Sequence, residues 1–158
     1  MPNYFLDTSA LAKLYHTETG SEYMERLLRE PGSQSFISRL SILEIESVFA
    51  IKLRTREVDQ TDVEIARRVF RADLSQGRLL IGPPIQTHHY QTARSLLVRY
   101  GAAEGLRTLD ALQLSVALSL QQLGLISVMI AADQRLCQVA SLAGCPTVNP
   151  ERPSPLLI

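Results

Sequence analysis

Cysteine is scarce: Cys137 and Cys145 are the only two among 158 residues. Two are too few for a disulfide framework. Both stand in an apolar C-terminal region, which predicts reduced, partly buried thiols and a cytoplasmic setting. Neither sign of charge dominates. Sixteen basic and sixteen acidic residues give a formal net charge of zero. That argues against a general nucleic-acid coat protein, which is strongly basic, but not against an enzyme acting on nucleic acid. Long apolar runs are missing too. Each is broken by Gln, Ser, Glu or Asp, so none spans a bilayer and no membrane partner is expected. The first residues carry no basic segment leading into an apolar one, so no signal peptide is expected. There is no Gly-rich phosphate loop, no His/Cys zinc spacing and no Ser or Cys with a recognisable base partner. His88 and His89 are sequence neighbours, which point apart on a helix, and His16 reads as surface. Repeats, low-complexity tracts and linkers are absent.

What is present suits one globular domain: 46% hydrophobic and 20% charged residues. It is expected over residues 1–148, followed by a Pro-rich tail, 149–158. Asn3 to Asp7 reads as a short buried strand. Helices are expected over about 9–16 and 20–29, the second broken by Pro31-Gly32. A strand over 34–38 leads into a helix from Arg39 to about Arg56. Its expected buried stripe is Leu40, Leu43, Val48 and Ile51, and its apolar residues lie nearly all round, which predicts burial. Thr61 to Leu74 is amphipathic, and 79–81 reads as a third strand. Helices follow over about 87–103 and 108–123, with Thr108 as the expected N-cap. Residues 126–132 read as a strand, Asp133 to about Ala143 as a helix with Gly144 near its end, and Thr147-Val148 as a last strand. Strands alternating with helices predict an α/β fold with a parallel sheet. The basic clusters (Lys52, Arg54 and Arg56; Arg67, Arg68 and Arg71; Arg94, Arg99 and Arg107) read mostly as solvated helix faces.

Four acids lie in apolar surroundings: Asp7, Glu44, Asp110 and Asp133. Charged side chains are seldom buried unless paired or bound to a metal. Asp7 and Asp133 each follow a strand, where open α/β sheets place their chemistry, although either could serve only as a helix N-cap. Glu44 lies inside a helix on the stripe with Leu40, Leu43 and Val48, with no Lys or Arg beside it. Glu46 is off that stripe and reads as solvated. Asp110 falls in a first turn, where the helix dipole favours an acid, and shares a face with Leu114, Ala117 and Leu118. Each acid has a plain explanation alone; together they suggest a divalent-cation site. Ser9 could orient Asp7 or hold a water. Lys13, Arg39 and Arg107 adjoin the acids in sequence and are candidate phosphate contacts.

These segments resemble the PIN-domain ribonucleases, in particular the VapC-type toxins of toxin–antitoxin pairs. The matching pieces are Phe5-Leu6-Asp7-Thr8-Ser9-Ala10-Leu11, Ile37-Ser38-Arg39-Leu40 leading to Glu44, Leu106 through Leu114 around Asp110, and Ala132-Asp133-Gln134-Arg135-Leu136. Each is loose, but their order and spacing cover nearly the whole chain. The resemblance implies a three-layer α/β/α fold around a parallel sheet of about five strands. It implies that Asp7, Glu44, Asp110 and Asp133 hold Mg²⁺ or Mn²⁺ for cleavage of RNA, with Ser9 supporting Asp7. It also implies a cognate antitoxin whose apolar helix and basic side chain cross the acidic cleft, and a homodimer. Apolar residues of the early helices (Leu11, Leu14, Tyr15, Tyr23, Leu27 and Leu28) exceed what one sheet face needs, which points to the same homodimer. One departure stands out: Ala131 occupies the place, two before the fourth acid, where relatives often carry Thr or Ser.

Two other functions compete with a metal-dependent endoribonuclease. One is the same fold as a weak or inactive protein-binding module. The other is a phospho-accepting receiver domain, whose accepting acid ends the third strand. Here Leu79-Leu80-Ile81 is followed by Gly-Pro-Pro, which argues against it.

Overall fold

The computed structural model describes residues 1–154. The last residues of the expected tail, 155–158, lie outside the described residues. The elements run β1 (Tyr4–Leu6), α1 (Thr8–Leu11) continued by a single 3-10 turn (Ala12–Leu14), α2 (Ser21–Leu28), β2 (Ser35–Ile37), α3 (Arg39–Arg54) and α4 (Gln60–Ser75). They continue with β3 (Leu80–Ile81), α5 (Thr87–Glu104), α6 (Thr108–Gln122), β4 (Val128–Ile130), α7 (Gln134–Leu142) and β5 (Thr147–Val148). The five strands form one sheet in the order β3-β2-β1-β4-β5, every pair parallel.

The sheet is short and covered on both faces. Successive side chains of a strand point to opposite faces. Tyr4 and Leu6 join one core with Met24, Ile37, Ile45, Phe49 and Phe70, while Phe5 joins the other with Leu96, Leu114, Met129 and Leu136. β4 splits the same way: Val128 and Ile130 face the first core, Met129 the second. Full burial of each such side chain contributes about 1.5–3 kcal/mol, and fully apolar strands are what a doubly covered parallel sheet requires.

This topology also sets the site. From β1 the chain winds outward through β2 and β3, then returns to place β4 on the other side of β1. The winding direction reverses between β1 and β4, and open α/β sheets bind ligands in the crevice at the carboxyl end of such a reversal. Asp7 follows β1 and Asp133 follows β4 across that crevice, and the Asp7 backbone N–H donates to the Ile130 carbonyl at 2.9 Å.

Three expectations are corrected. The buried edge of α3 is Ser41, Ile45 and Phe49, not the stripe through Leu40, Leu43 and Ile51. Leu43 is 71% exposed, and Ile42 and Ile51 also reach solvent. The helix is not buried all round because one edge meets the core and nothing among the described residues covers its outer face. Thr108 is not an N-cap: Arg107 holds the extended cap position (φ −99°, ψ 163°) and Thr108 is the first helical residue. Finally, the apolar side chains of the early helices are used within the chain. Leu11 and Leu27 are buried, and Leu14, Tyr15, Tyr23 and Leu28 pack against the first core. Among the described residues no helix is long and apolar enough to cross a membrane.

Candidate active site

Asp7 caps α1 from an extended backbone. Its Oδ2 accepts from the Ser9 backbone N–H at 3.1 Å and from Ser9 Oγ at 2.6 Å. Ser9 Oγ in turn accepts from the Ala132 N–H at 3.0 Å. One hydroxyl therefore ties the loop after β1 to the loop after β4 and orients Asp7. Asp7 is 5% exposed. Burial pushes its carboxyl up to about 6; the Ser9 hydrogen bonds oppose this, and the charges of Glu44 and Asp110 add to it.

Glu44 is half-buried at the rim of α3, beside buried Ser41 and Ile45 and exposed Leu43. Its Oε1 accepts from Gln113 Nε2 at 2.6 Å and from Thr8 Oγ1 at 3.2 Å. Burial raises its carboxyl above the ordinary range, those hydrogen bonds act the other way, and Asp110 raises it further. Asp110 occupies the first turn of α6. Burial raises its carboxyl, Arg107 lowers it and Asp133 raises it. Asp133 caps α7, its Oδ1 accepting from the N–H groups of Arg135 and Leu136 at 2.9 and 3.2 Å. Both strand-end acids are therefore genuine caps, and both stand at the carboxyl ends of the adjacent strands β1 and β4.

The charges of the four acids are felt in a chain: Asp7 with Glu44 and Asp110, Glu44 with Asp110, and Asp110 with Asp133. Among the described residues, however, no three His, Cys, Asp or Glu side chains stand close enough as arranged to hold a metal ion. Arg107 takes up part of that charge. Its Nε donates to Asp110 Oδ2 and its Nη2 to Asp133 Oδ2, each at 3.2 Å. The donor set still fits a hard divalent cation, which prefers oxygen ligands. Among the described residues the hydrogen bonds to Asp7 fall on Oδ2 and those to Glu44 on Oε1, leaving Asp7 Oδ1 and Glu44 Oε2 without protein donors.

The three cations fare differently. Arg39 is exposed as the first residue of α3, and Arg107 bridges two of the acids. Lys13 is 3% exposed, with its Nζ between Glu18 at 3.0 Å and Glu151 at 2.7 Å. Lys52 shares Glu18 from α3 at 3.2 Å. A cavity of about 340 Å³ runs from Ser9 and Asp133 past Lys13 and Lys52 to Glu151. The start of the tail is held here, since Asn149 Nδ2 donates to the Ala132 carbonyl at 3.2 Å. Cys137 and Cys145 are free, their thiols pushed up to about 11 by burial.

Sequence reasoning missed a group of neutral residues beneath Glu44: Thr8, Ser38, Ser41 and Gln113, all buried. Gln113 was the one legible signal, an amide three residues past Asp110 and flanked by Leu112 and Leu114.

The five-stranded parallel sheet with acids at the ends of its central strands is an α/β architecture, and residues 4–142 match the family model described as PIN domain. The chain belongs to the PIN domain family. Among curated proteins it is similar to Ribonuclease VapC45 of Mycobacterium tuberculosis (strain CDC 1551 / Oshkosh) and Ribonuclease VapC49 of Mycobacterium tuberculosis (strain ATCC 25618 / H37Rv). Each is 30% identical over 146 residues, covering 92% of this chain and 94% of the relative. Two solved structures share the fold. PAE2754 from Pyrobaculum aerophilum has a TM-score of 0.57 at 21% identity, over 95% of this chain and 90% of that one. VapBC2 from Rickettsia felis, bound to a DNA fragment from their promoter, has a TM-score of 0.59 at 15% identity, over 93% of this chain and 98% of that one.

Proposed function

We propose that this chain is a metal-dependent endoribonuclease, the toxin of a type II toxin–antitoxin pair. The observation that carries the reading is the set of four charge-coupled acids at the sheet reversal, with Asp7 buried and its carboxyl raised. The names of the relatives support ribonuclease activity, and the VapBC2 structure supports a protein antitoxin as partner. In this reading Asp7, Glu44, Asp110 and Asp133 hold Mg²⁺ or Mn²⁺, which supplies charge neutralisation on the phosphodiester and makes water a stronger nucleophile. Ser9 keeps Asp7 aimed across the crevice. Arg107 neutralises Asp110 and Asp133 in the free protein and is released to a phosphate when a cation takes its place. Arg39 is a second exposed phosphate contact, whereas Lys13 reaches phosphate only if Glu151 leaves it. Residues 1–148 form the functional unit. A homodimer belongs to this reading and rests on exposed apolar side chains such as Leu43, Val98 and Leu123; light scattering that gave a monomer mass would remove it.

A second reading, a protein-binding module with weak or no activity, is favoured by one observation. Arg107 already spans two of the acids, and among the described residues no three acids converge as arranged. Incubation of single-stranded RNA with the protein in Mg²⁺, Mn²⁺ or EDTA separates the two. The nuclease reading expects cleavage with either metal, none in EDTA, and loss in Asp7→Asn and Asp110→Asn. Absence of cleavage under every metal condition favours the binding module.

A further inference from the structure

We infer that Gln113 is a positioning residue that holds Glu44 for cation binding. The inference rests on the nuclease reading insofar as Glu44 is a ligand.

Gln113 lies on α6, is 1% exposed and connects three elements. Its Oε1 accepts from Ser38 Oγ at 2.9 Å, at the start of α3. Its Nε2 lies 2.6 Å from Glu44 Oε1, 2.9 Å from Ser41 Oγ and 3.1 Å from Thr8 Oγ1. The chemistry of the partners dictates this amide orientation. An ionised carboxylate only accepts, so the amide nitrogen must face Glu44, and the amide oxygen must face a hydroxyl that can donate. An NH₂ group has two hydrogens and three acceptors here. The shortest contact is to the charged one, as charge-assisted hydrogen bonds are.

Glu44 needs this restraint. It stands on the edge of α3 between the buried Ser41–Ile45 edge and exposed Leu43, so its long side chain has solvent-directed rotamers open to it. Among the described residues no cation pairs with it. Gln113 and Thr8 both bind Oε1, which turns the carboxylate toward Thr8, the neighbour of Asp7, and leaves Oε2 without a protein donor. Stability alone does not require such an arrangement, because replacing all members of a buried polar cluster with apolar groups of the same shape can be nearly neutral. Its placement under an acid gives it a role in the site, as residues behind metal ligands commonly have.

The test is Mn²⁺ binding to metal-free protein, followed by electron paramagnetic resonance, with RNA cleavage kinetics alongside. Gln113→Met keeps the volume and removes both hydrogen-bonding ends. Gln113→Asn keeps the amide in the buried cluster but withdraws it from Glu44. Each is expected to weaken Mn²⁺ binding about tenfold and to lower kcat with KM for RNA unchanged. Ser115→Ala, which removes a buried hydroxyl of the same helix bonded to the Leu112 carbonyl and not to the Glu44 cluster, is expected to bind Mn²⁺ as the wild type does. Because Gln113 acts through Glu44, the double variant Gln113→Asn/Glu44→Gln is expected to bind no more weakly than Glu44→Gln alone. Wild-type Mn²⁺ affinity in both Gln113 variants overturns the inference, as does an equal loss in Ser115→Ala. If Glu44→Gln itself binds Mn²⁺ like the wild type, the ligand reading fails, and this inference with it.

Discussion

Arg107 and Asp133, 26 positions apart in the chain, meet at 3.2 Å across the crevice. The same guanidinium reaches Asp110 at 3.2 Å. Arg107 is 71% exposed, so this is a solvent-facing cation resting on two partly buried anions, a pair that contributes little to stability. It also explains how Asp110 stays tolerable in the absence of metal: the guanidinium lowers a carboxyl that burial and Asp133 raise.

Arg107→Gln should therefore enlarge the metal effect. Without the guanidinium, a divalent cation no longer competes for Asp110 and Asp133, and the metal-free protein keeps more repulsion. Melting curves with Mn²⁺ and with EDTA should show a wider gap than in the wild type, while RNA binding weakens through loss of a phosphate contact. A narrower gap would show that Arg107 helps to build the cation site instead of occupying it.

Asp7 predicts the pH dependence. Its folded-state carboxyl is raised from 3.8 to about 6. In metal-free protein the folded state therefore holds this proton more tightly than the unfolded chain, a difference of about 3 kcal/mol. That contribution is present below about pH 4 and is lost as pH rises through about 6. Asp7→Asn abolishes this titration and keeps a capping side chain. In EDTA at neutral pH it should melt no lower than the wild type and most plainly above it, with the difference closing in acid. Cleavage and metal affinity of the wild type should fall as pH drops through about 6, since the proton competes with the cation. A variant that melts lower than the wild type at every pH would reduce Asp7 to a cap.

Metal should stabilise the folded form by mass action, about 2.7 kcal/mol when free metal is a hundredfold above its Kd. Asp7→Asn and Asp110→Asn should lose most of that gain. Thermal shifts over a Mn²⁺ titration measure it, and an unchanged shift in both variants would place the cation elsewhere.

The two carboxylates on Lys13 should contribute unequally. Glu151 is the more exposed and serves Lys13 alone, whereas Glu18 is shared by Lys13 and Lys52. Glu151→Gln should cost about 1 kcal/mol or less. Glu18→Gln should cost more, because it takes an anion from the Lys13 and Lys52 ammonium groups at once. Urea unfolding of the two variants gives the order directly, and the reverse order would contradict the geometry.

On α3, Ile45→Ala should cost about 2–5 kcal/mol, since it opens a cavity in the first core. Leu43→Ser, next to Glu44 in the chain but at the solvent, should change stability by about 0.5 kcal/mol or less. Equal costs would mean that an unseen surface covers Leu43.

Much of this was legible from residue order. Short apolar runs each ending in an acid, a turn or a helix start suffice for strands β1, β2 and β4 and for a parallel α/β sheet, because only a doubly covered strand can be apolar on both faces. Asp7 and Asp133 could be placed at strand ends for the same reason. Glu44 was reached by a partly wrong route: the stripe that singled it out is not the buried one, and the acid is at a rim. Periodicity reports that a helix has an apolar side but not how the helix is rotated onto the sheet when apolar residues lie nearly all round.

The sequence by itself determined the alternation of elements and the four acids, since both are written in local patterns of polarity. Tertiary structure alone decided the rest. Arg107 falls on Asp133, Lys13 is enclosed by Glu151, and Gln113 reaches Glu44, pairs separated by 26, 138 and 69 positions. No local pattern encodes such contacts, because each joins elements far apart in the chain (α6 with α7, the turn after α1 with the segment after β5, and α6 with α3) that meet only once the sheet is assembled and its helices are packed on it.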